Sequence, residues 1–141
     1  MPEMPAKPQT IILVEDDLGH AELIMRGYQD LGIKEEIRHF ADGQVAMDHL
    51  VQYSIDGSED PLPGLVILDL RVPSKTGLEI LEEMKTHNYL KTIPVVILST
   101  SNAEQDKSRA RELGADGYFT KSWSYEEFRN ILAEIHHRWL G

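Results

Sequence analysis

The stretch GLVILDLRVP, Gly64 to Pro73, decides how the rest of the chain is read. Its four consecutive aliphatic residues, Leu65 to Leu68, leave no polar face, as in a strand buried on both sides of a parallel sheet. The run then ends on Asp69, a residue type almost never fully buried without a partner. A carboxylate in that place is either a stray surface charge or a chemical group.

Working outward, TIILV (Thr10–Val14) and IPVVIL (Ile93–Leu98) have the same apolar density, and EIRHF (Glu36–Phe40) and DGYFT (Asp116–Thr120) read as two shorter strands. Between them run helical periodicities: Ala21, Ile24, Met25, Tyr28 and Leu31; Ala46, Met47, Leu50 and Val51; Leu78, Leu81 and Met84; Phe128, Ile131, Leu132, Ile135 and Trp139. The segment from Ala103 to Leu113 is more polar, with Ala110 and Leu113 as its core candidates. Thr76–Glu79, Ser101–Glu104 and Ser124–Glu127 have the spacing of a capping box, in which each side chain satisfies an orphan backbone N–H. Asp17 and Asp42 are candidate N-caps, and Gly32 and Gly114 fall where a helix would end in a left-handed residue. The order is β-α five times over, which predicts a doubly wound α/β domain with a five-stranded parallel sheet covered on both faces.

The 141 residues suffice for one domain, with 41% hydrophobic and 27% charged residues as in a globular chain. A formal net charge of −10 works against binding to nucleic acid or to an anionic membrane. No apolar run approaches the roughly 20 residues of a membrane span. MPEMPAKPQT, at the start, lacks the apolar core of a signal peptide. With no cysteine there is no disulfide framework or thiolate metal site, and a reducing cytoplasm is the expected location. The one long loop, Ser54 to Gly64, is polar and rich in Gly and Pro.

In a sheet of this kind ligands sit beyond the carboxyl ends of the strands. Glu15, Asp16 and Asp17 follow the first strand, Asp69 the third, Ser99, Thr100 and Ser101 the fourth, and Lys121 the fifth. Two full charges about 4 Å apart repel by roughly 4 kcal/mol at an effective dielectric of 20, so crowded carboxylates raise one another's pKa or recruit a cation. Few hard oxygen ligands with room for water suit Mg²⁺ better than Zn²⁺. A lysine and a hydroxyl opposite such an ion suit phosphoryl transfer to an aspartate oxygen.

At these residues the chain resembles a response-regulator receiver domain of two-component signalling, from about residue 10 to residue 139. The matching pieces are ILVEDD (Ile12–Asp17), LVILDLRVPSKTGLEIL (Leu65–Leu81), IPVVILSTS (Ile93–Ser101) and GADGYFTK (Gly114–Lys121). The resemblance implies a flavodoxin-like (βα)5 fold with strand order 2-1-3-4-5. It implies Asp69 as phosphoacceptor, with Mg²⁺ held by Glu15, Asp16, Asp69 and the backbone carbonyl of Arg71. Ser99 matches the switch hydroxyl, Lys121 the lysine that pairs with the phosphoryl group, and Tyr118 the aromatic whose rotamer follows phosphorylation. Two departures stand out: the acidic pair is Glu-Asp rather than Asp-Asp, and Ser122 replaces the proline that usually follows the lysine. After Lys121 the chain either carries a strained bond or takes a different course.

The implied partners are a sensor histidine kinase and a downstream protein, with a homodimer through the fourth helix, fifth strand and fifth helix as a further possibility of the family. The long loop before the third strand and LKTIPVVILSTS resemble small receivers that serve bacterial phytochrome-type sensor kinases. Only 20 residues follow Lys121, and a capped helix from Tyr125 to Leu140 takes most of them. The expectation is therefore a single receiver over residues 1–141 without an output domain, a regulator rather than an enzyme with an external substrate. Phe128, Ile131, Leu132, Ile135 and Trp139 read as core, Trp123, Tyr125 and Leu140 as exposed contact residues, and His136–His137 as surface. The competing readings are a receiver-like scaffold that is not phosphorylated and a small phosphatase with an aspartyl-phosphate intermediate. The phosphatase family usually has a second Asp two residues beyond the nucleophile, where this chain has Arg71.

Overall fold

The apolar runs become strands because only a two-sided sheet removes every one of their side chains from water. In the computed structural model, which describes residues 9–55 and 61–141, these are β1 (Ile11–Val14), β3 (Leu65–Leu68) and β4 (Val95–Ser99), buried throughout. The half-buried β2 (Ile37–Phe40) and β5 (Gly117–Thr120) form the edges. All pairings are parallel and the order is β2-β1-β3-β4-β5, with Val14 opposite Phe40 and Leu68, and Ser99 opposite Thr120. Residues 56–60 of the expected long loop, and the opening residues 1–8, lie outside the described residues.

The helices are α1 (Leu18–Asp30), α2 (Gly43–Val51), α3 (Gly77–Met84), α4 (Glu104–Glu112) and α5 (Tyr125–Trp139). Ile12, Val14, Val66, Leu68, Val95 and Ile97 point to one core, with Met47, Leu50, Ile80, Leu81 and Met84 from α2 and α3. Ile11, Leu13, Leu65, Ile67, Val96 and Leu98 point to the other, against Ile24 and Tyr28 of α1 and Phe128, Leu132 and Ile135 of α5. The alternation of strand side chains therefore supplies two cores from one sheet. Ile131, Trp139 and Leu140 pack partly buried on the second core, so Leu140 is not a free contact residue. Tyr125 is likewise engaged, stacked between Arg26 and Arg129 and donating its hydroxyl to Asp30. Trp123 is 93% exposed, as expected for a contact residue. Met25, read as core, is exposed instead, because α1 turns only Ala21, Ile24, Gly27 and Tyr28 fully inward.

Asp17 and Asp42 cap α1 and α2 by accepting the backbone N–H of His20 and Val45, each at 3.0 Å. Thr76 and Glu79 form a complete capping box at α3. Ser124 accepts from Glu127 N at 3.3 Å, but the Glu127 carboxylate turns away to the Ser122 hydroxyl at 2.5 Å, leaving half a box. The Ser101–Glu104 box does not form. The Ser101 hydroxyl donates to Asp106 at 2.5 Å and α4 begins at Glu104 after the uncapped Ala103. Gly32 (φ 71°) and Gly114 (φ 95°) take the left-handed conformation that ends α1 and α4.

Candidate functional site

Parallel pairing places the ends of β1, β3, β4 and β5 on one rim. Glu15 N donates to Phe40 O at 2.9 Å and Asp69 N donates to Val14 O at 3.0 Å, so both residues extend the ladder by one step beyond their strands. Glu15 is thereby buried at 1% exposure, Asp69 is partly buried, and Asp16 is exposed. Each offers a carboxylate oxygen, and the three oxygens lie within 4.8 Å of one another. On the far edge Lys121 N donates to Ser99 O at 2.8 Å, which turns the Lys121 side chain back over the rim.

The Lys121 ammonium, almost fully buried, reaches three acceptors. It donates to Glu15 Oε1, to Asp69 Oδ2 at 2.9 Å and to His20 Nδ1 at 3.0 Å. His20 is a site residue that the sequence reading did not single out. The available signal was its place three residues after the Asp17 cap, in the first turn of a helix that starts at the rim. Arg71 N lies 3.5 Å from Asp69 Oδ1, which keeps the Arg71 backbone against the carboxylate while its side chain faces solvent. Ser99 is buried, its hydroxyl accepting from Ser101 N at 3.2 Å. Tyr118 is half-buried and donates its hydroxyl to Ser101 O at 2.9 Å.

After Lys121 the chain continues through Ser122 into the entry of α5. No peptide bond among the described residues is cis. The Ser122 hydroxyl accepts from Ser124 N at 3.1 Å while donating to Glu127, so it organises the entry to α5.

Charge is distributed unevenly across the acidic group. Burial pushes the Glu15 carboxyl up, and the hydrogen bond to Asp69 and the nearby Asp69 charge add to this, so that its pKa reaches about 8 despite Lys121. Burial also pushes Asp69 up, but hydrogen bonds with Glu15 and Lys121 outweigh it and hold Asp69 below the usual carboxylate value. The excess negative charge is relieved by a proton on Glu15, and a divalent cation bound in place of that proton would also relieve it. Glu15 Oε2 is buried with no hydrogen-bond partner among the described residues, an expensive condition that a bound cation would remove. An all-oxygen donor set with an exposed member suits a hard ion that keeps some of its water. The residues present fit Mg²⁺ or a similar divalent cation.

The description "Response regulator receiver domain" matches residues 11–133. The probable methanogenesis regulatory protein FilR2 of Methanothrix harundinacea is 40% identical over 134 residues, 95% of this chain and 85% of that protein. Response regulator Rcp1 of Synechocystis is 36% identical over 133 residues, 94% of this chain and 90% of Rcp1. Among solved structures, the phosphorylated cyanobacterial phytochrome response regulator RcpA superposes with a TM-score of 0.85 at 34% identity, covering 96% of each chain. The Mn²⁺-bound form of Rcp1 superposes with a TM-score of 0.81 at 35% identity, over 94% of this chain and 95% of that one. A family match over most of the chain, on a fold whose strand ends gather this acidic group, makes the chain a response regulator receiver domain of two-component signalling.

Proposed function

We propose that Asp69 accepts a phosphoryl group from a sensor histidine kinase, with Mg²⁺ held by Glu15, Asp16, Asp69 and the Arg71 carbonyl. The observation that carries this reading is the Lys121 ammonium donating at once to Glu15 and Asp69, beside a buried Glu15 oxygen that has no hydrogen-bond partner among the described residues. Asp69 is held ionised, as a nucleophile requires, while Glu15 takes the proton in the metal-free site and would release it on binding Mg²⁺. A bound Mg²⁺ supplies neutralisation of phosphoryl oxygens. Lys121 exchanges its bond to Asp69 Oδ2 for one to a peripheral phosphoryl oxygen, and Asp69 attacks in line. Ser99 then moves toward the phosphoryl group. That shift breaks its bond to Ser101 N, loosens the loop whose carbonyl holds Tyr118, and repacks the face of α4, β5 and α5.

The chain's own residues turn over no external substrate in this scheme; it acts as a regulator. Its similarity to Rcp1 and to the phytochrome response regulator RcpA supports a phytochrome-type kinase as the phosphodonor. The face of α4, β5 and α5, flanked by the exposed Trp123, is the surface offered to a downstream protein or to a second copy. No helix among the described residues is long and apolar enough to cross a membrane.

The test is intact mass after incubation with acetyl phosphate, with and without Mg²⁺, on the unaltered chain and Asp69→Asn. A Mg²⁺-dependent gain of one phosphoryl group, absent from the variant, is the expected result. No gain by a folded, Mg²⁺-binding protein would leave the unphosphorylated scaffold. Sedimentation of the two forms then reads the dimer.

A further inference from the structure

We infer that His20 is a positioning residue for phosphoryl transfer: its neutral imidazole is the third acceptor that fixes the Lys121 ammonium over Asp69. The inference rests on Asp69 being the phosphoacceptor. An ammonium has three donors and no acceptor, and Lys121 has only 4% of its side chain exposed, so each N–H needs a protein partner. The structure provides three: Glu15 Oε1, Asp69 Oδ2 and His20 Nδ1. Because lysine only donates, Nδ1 must be the unprotonated nitrogen here.

The placement follows from the local sequence. Asp17 caps α1 by accepting from His20 N, which fixes His20 in the first helical turn, and Gly19 leaves room for the capping carboxylate, since a Cβ there would come within 3.2 Å of Asp17 Oδ1. His20 is one-quarter exposed, so it closes the solvent side of the ammonium. Glu15 Oε1 lies 3.3 Å and Asp17 Oδ2 3.8 Å from the same Nδ1. A carboxylate at position 20 would hold Lys121 too, but would place another negative charge beside an incoming anionic phosphodonor. A neutral acceptor holds the ammonium and leaves its charge for the phosphoryl oxygens.

In the step concerned, an Asp69 oxygen–phosphorus bond forms as the bond from phosphorus to the acetate oxygen of acetyl phosphate breaks, and acetate leaves with the electron pair. As that bond forms, Lys121 gives up its bond to Asp69 Oδ2 and keeps those to Glu15 and His20. The ammonium is already in place when negative charge accumulates, which is where preorganisation acts on rate.

Three variants test this with acetyl phosphate and Mg²⁺. Asparagine places a side-chain oxygen near the Nδ1 position, whereas glutamine reaches past it and phenylalanine has no acceptor. Removing a hydrogen bond to a charged group predicts a maximal phosphorylation rate about tenfold lower for His20→Phe and His20→Gln. Half-saturating acetyl phosphate and Mg²⁺ should stay within about twofold, and His20→Asn should recover the rate to within about threefold, as for a residue acting on the transition state. Thermal melts of all three establish that they are folded, and the Asn–Gln comparison decides the matter if His20→Phe is not. Wild-type rates for His20→Gln, or an asparagine variant as slow as glutamine, would overturn the inference. Failure of the unaltered chain to take up phosphate, or uptake by Asp69→Asn, would overturn the Asp69 reading instead.

Discussion

Helix α5 buries Phe128, Leu132 and Ile135 against α1 and the sheet, whereas α4, beside the same edge strand β5, buries Ala110 alone. The α1–α5 contact is close enough that a Cβ on Gly27 would come within 2.5 Å of Leu132 Cδ1. Its rim is tied by the pair His136–Glu35 at 3.0 Å and by Tyr125 between two arginines. By contrast, α4 is anchored through its entry loop, where Asp106 takes the Ser101 hydroxyl and Tyr118 takes the Ser101 carbonyl. An element held by apolar area resists displacement, because moving it exposes that area. One held by a few polar contacts follows the loop that makes them. Since that loop begins at Ser99, α4 is the helix able to report a change at the rim.

The largest effect expected on this contrast is from Leu132→Ala in α5. It should cost about 2–5 kcal/mol in urea denaturation, the range for truncating a fully buried leucine. A loss below 1 kcal/mol would mean that the α1–α5 face is no firmer than α4.

Next comes pH, at the rim between the two helices. The native pKa of Glu15, about 8, lies above its ordinary 4.5, so the folded chain keeps a proton that the unfolded chain releases. In metal-free solution this group's contribution to stability is complete below pH 4.5 and is lost as pH rises through about 8. Asp69, lowered from 3.8, acts in the opposite sense and loses its contribution as pH falls below that value. Mg²⁺ should reverse the Glu15 loss and bind more tightly as pH approaches 8. Melting curves from pH 4 to 9 with Mg²⁺ or chelator check this. Parallel curves would break the link between Glu15 and the metal.

A smaller loss, about 1–2 kcal/mol, is expected for Ala110→Gly, which removes the single buried methyl of α4 and adds glycine's helix penalty. Amide exchange should also be faster in α4 than in α5, and phosphorylation should alter it in α4 and β5 first. Equal change in α5 would erase the distinction. The smallest effect belongs to Arg109→Ala. Its pair with Glu112, at 3.6 Å on the exposed side of α4, should contribute less than about 0.5 kcal/mol.

Legibility followed the range of the interaction. LVIL before Asp69 and VVIL before Ser99 read as buried strands because each residue's own apolarity demands it. The Asp17 and Asp42 caps were readable because donor and acceptor are three residues apart. The three capping-box spacings show where this ends. Thr76 has no competitor and forms the full box, Glu127 is diverted by Ser122, and Ser101 is taken by Asp106 while Tyr118 holds its carbonyl. Met25 satisfied the helical period but sat at the margin of the buried stripe, a distinction that depends on which neighbour covers the helix.

Local chemistry was enough to specify the five strands, the capped starts of α1, α2 and α3 and the crowd of carboxylates at one end of the sheet. Contacts across the chain decided what that crowd does with its charge. Lys121 is 106 residues from Glu15, 101 from His20 and 52 from Asp69, and no local pattern says which acceptor each ammonium proton finds. The order of parallel strands brings those ends together, and burial then requires every donor to be satisfied. The role of His20, and the proton held by Glu15 rather than Asp69, are properties of that enclosure.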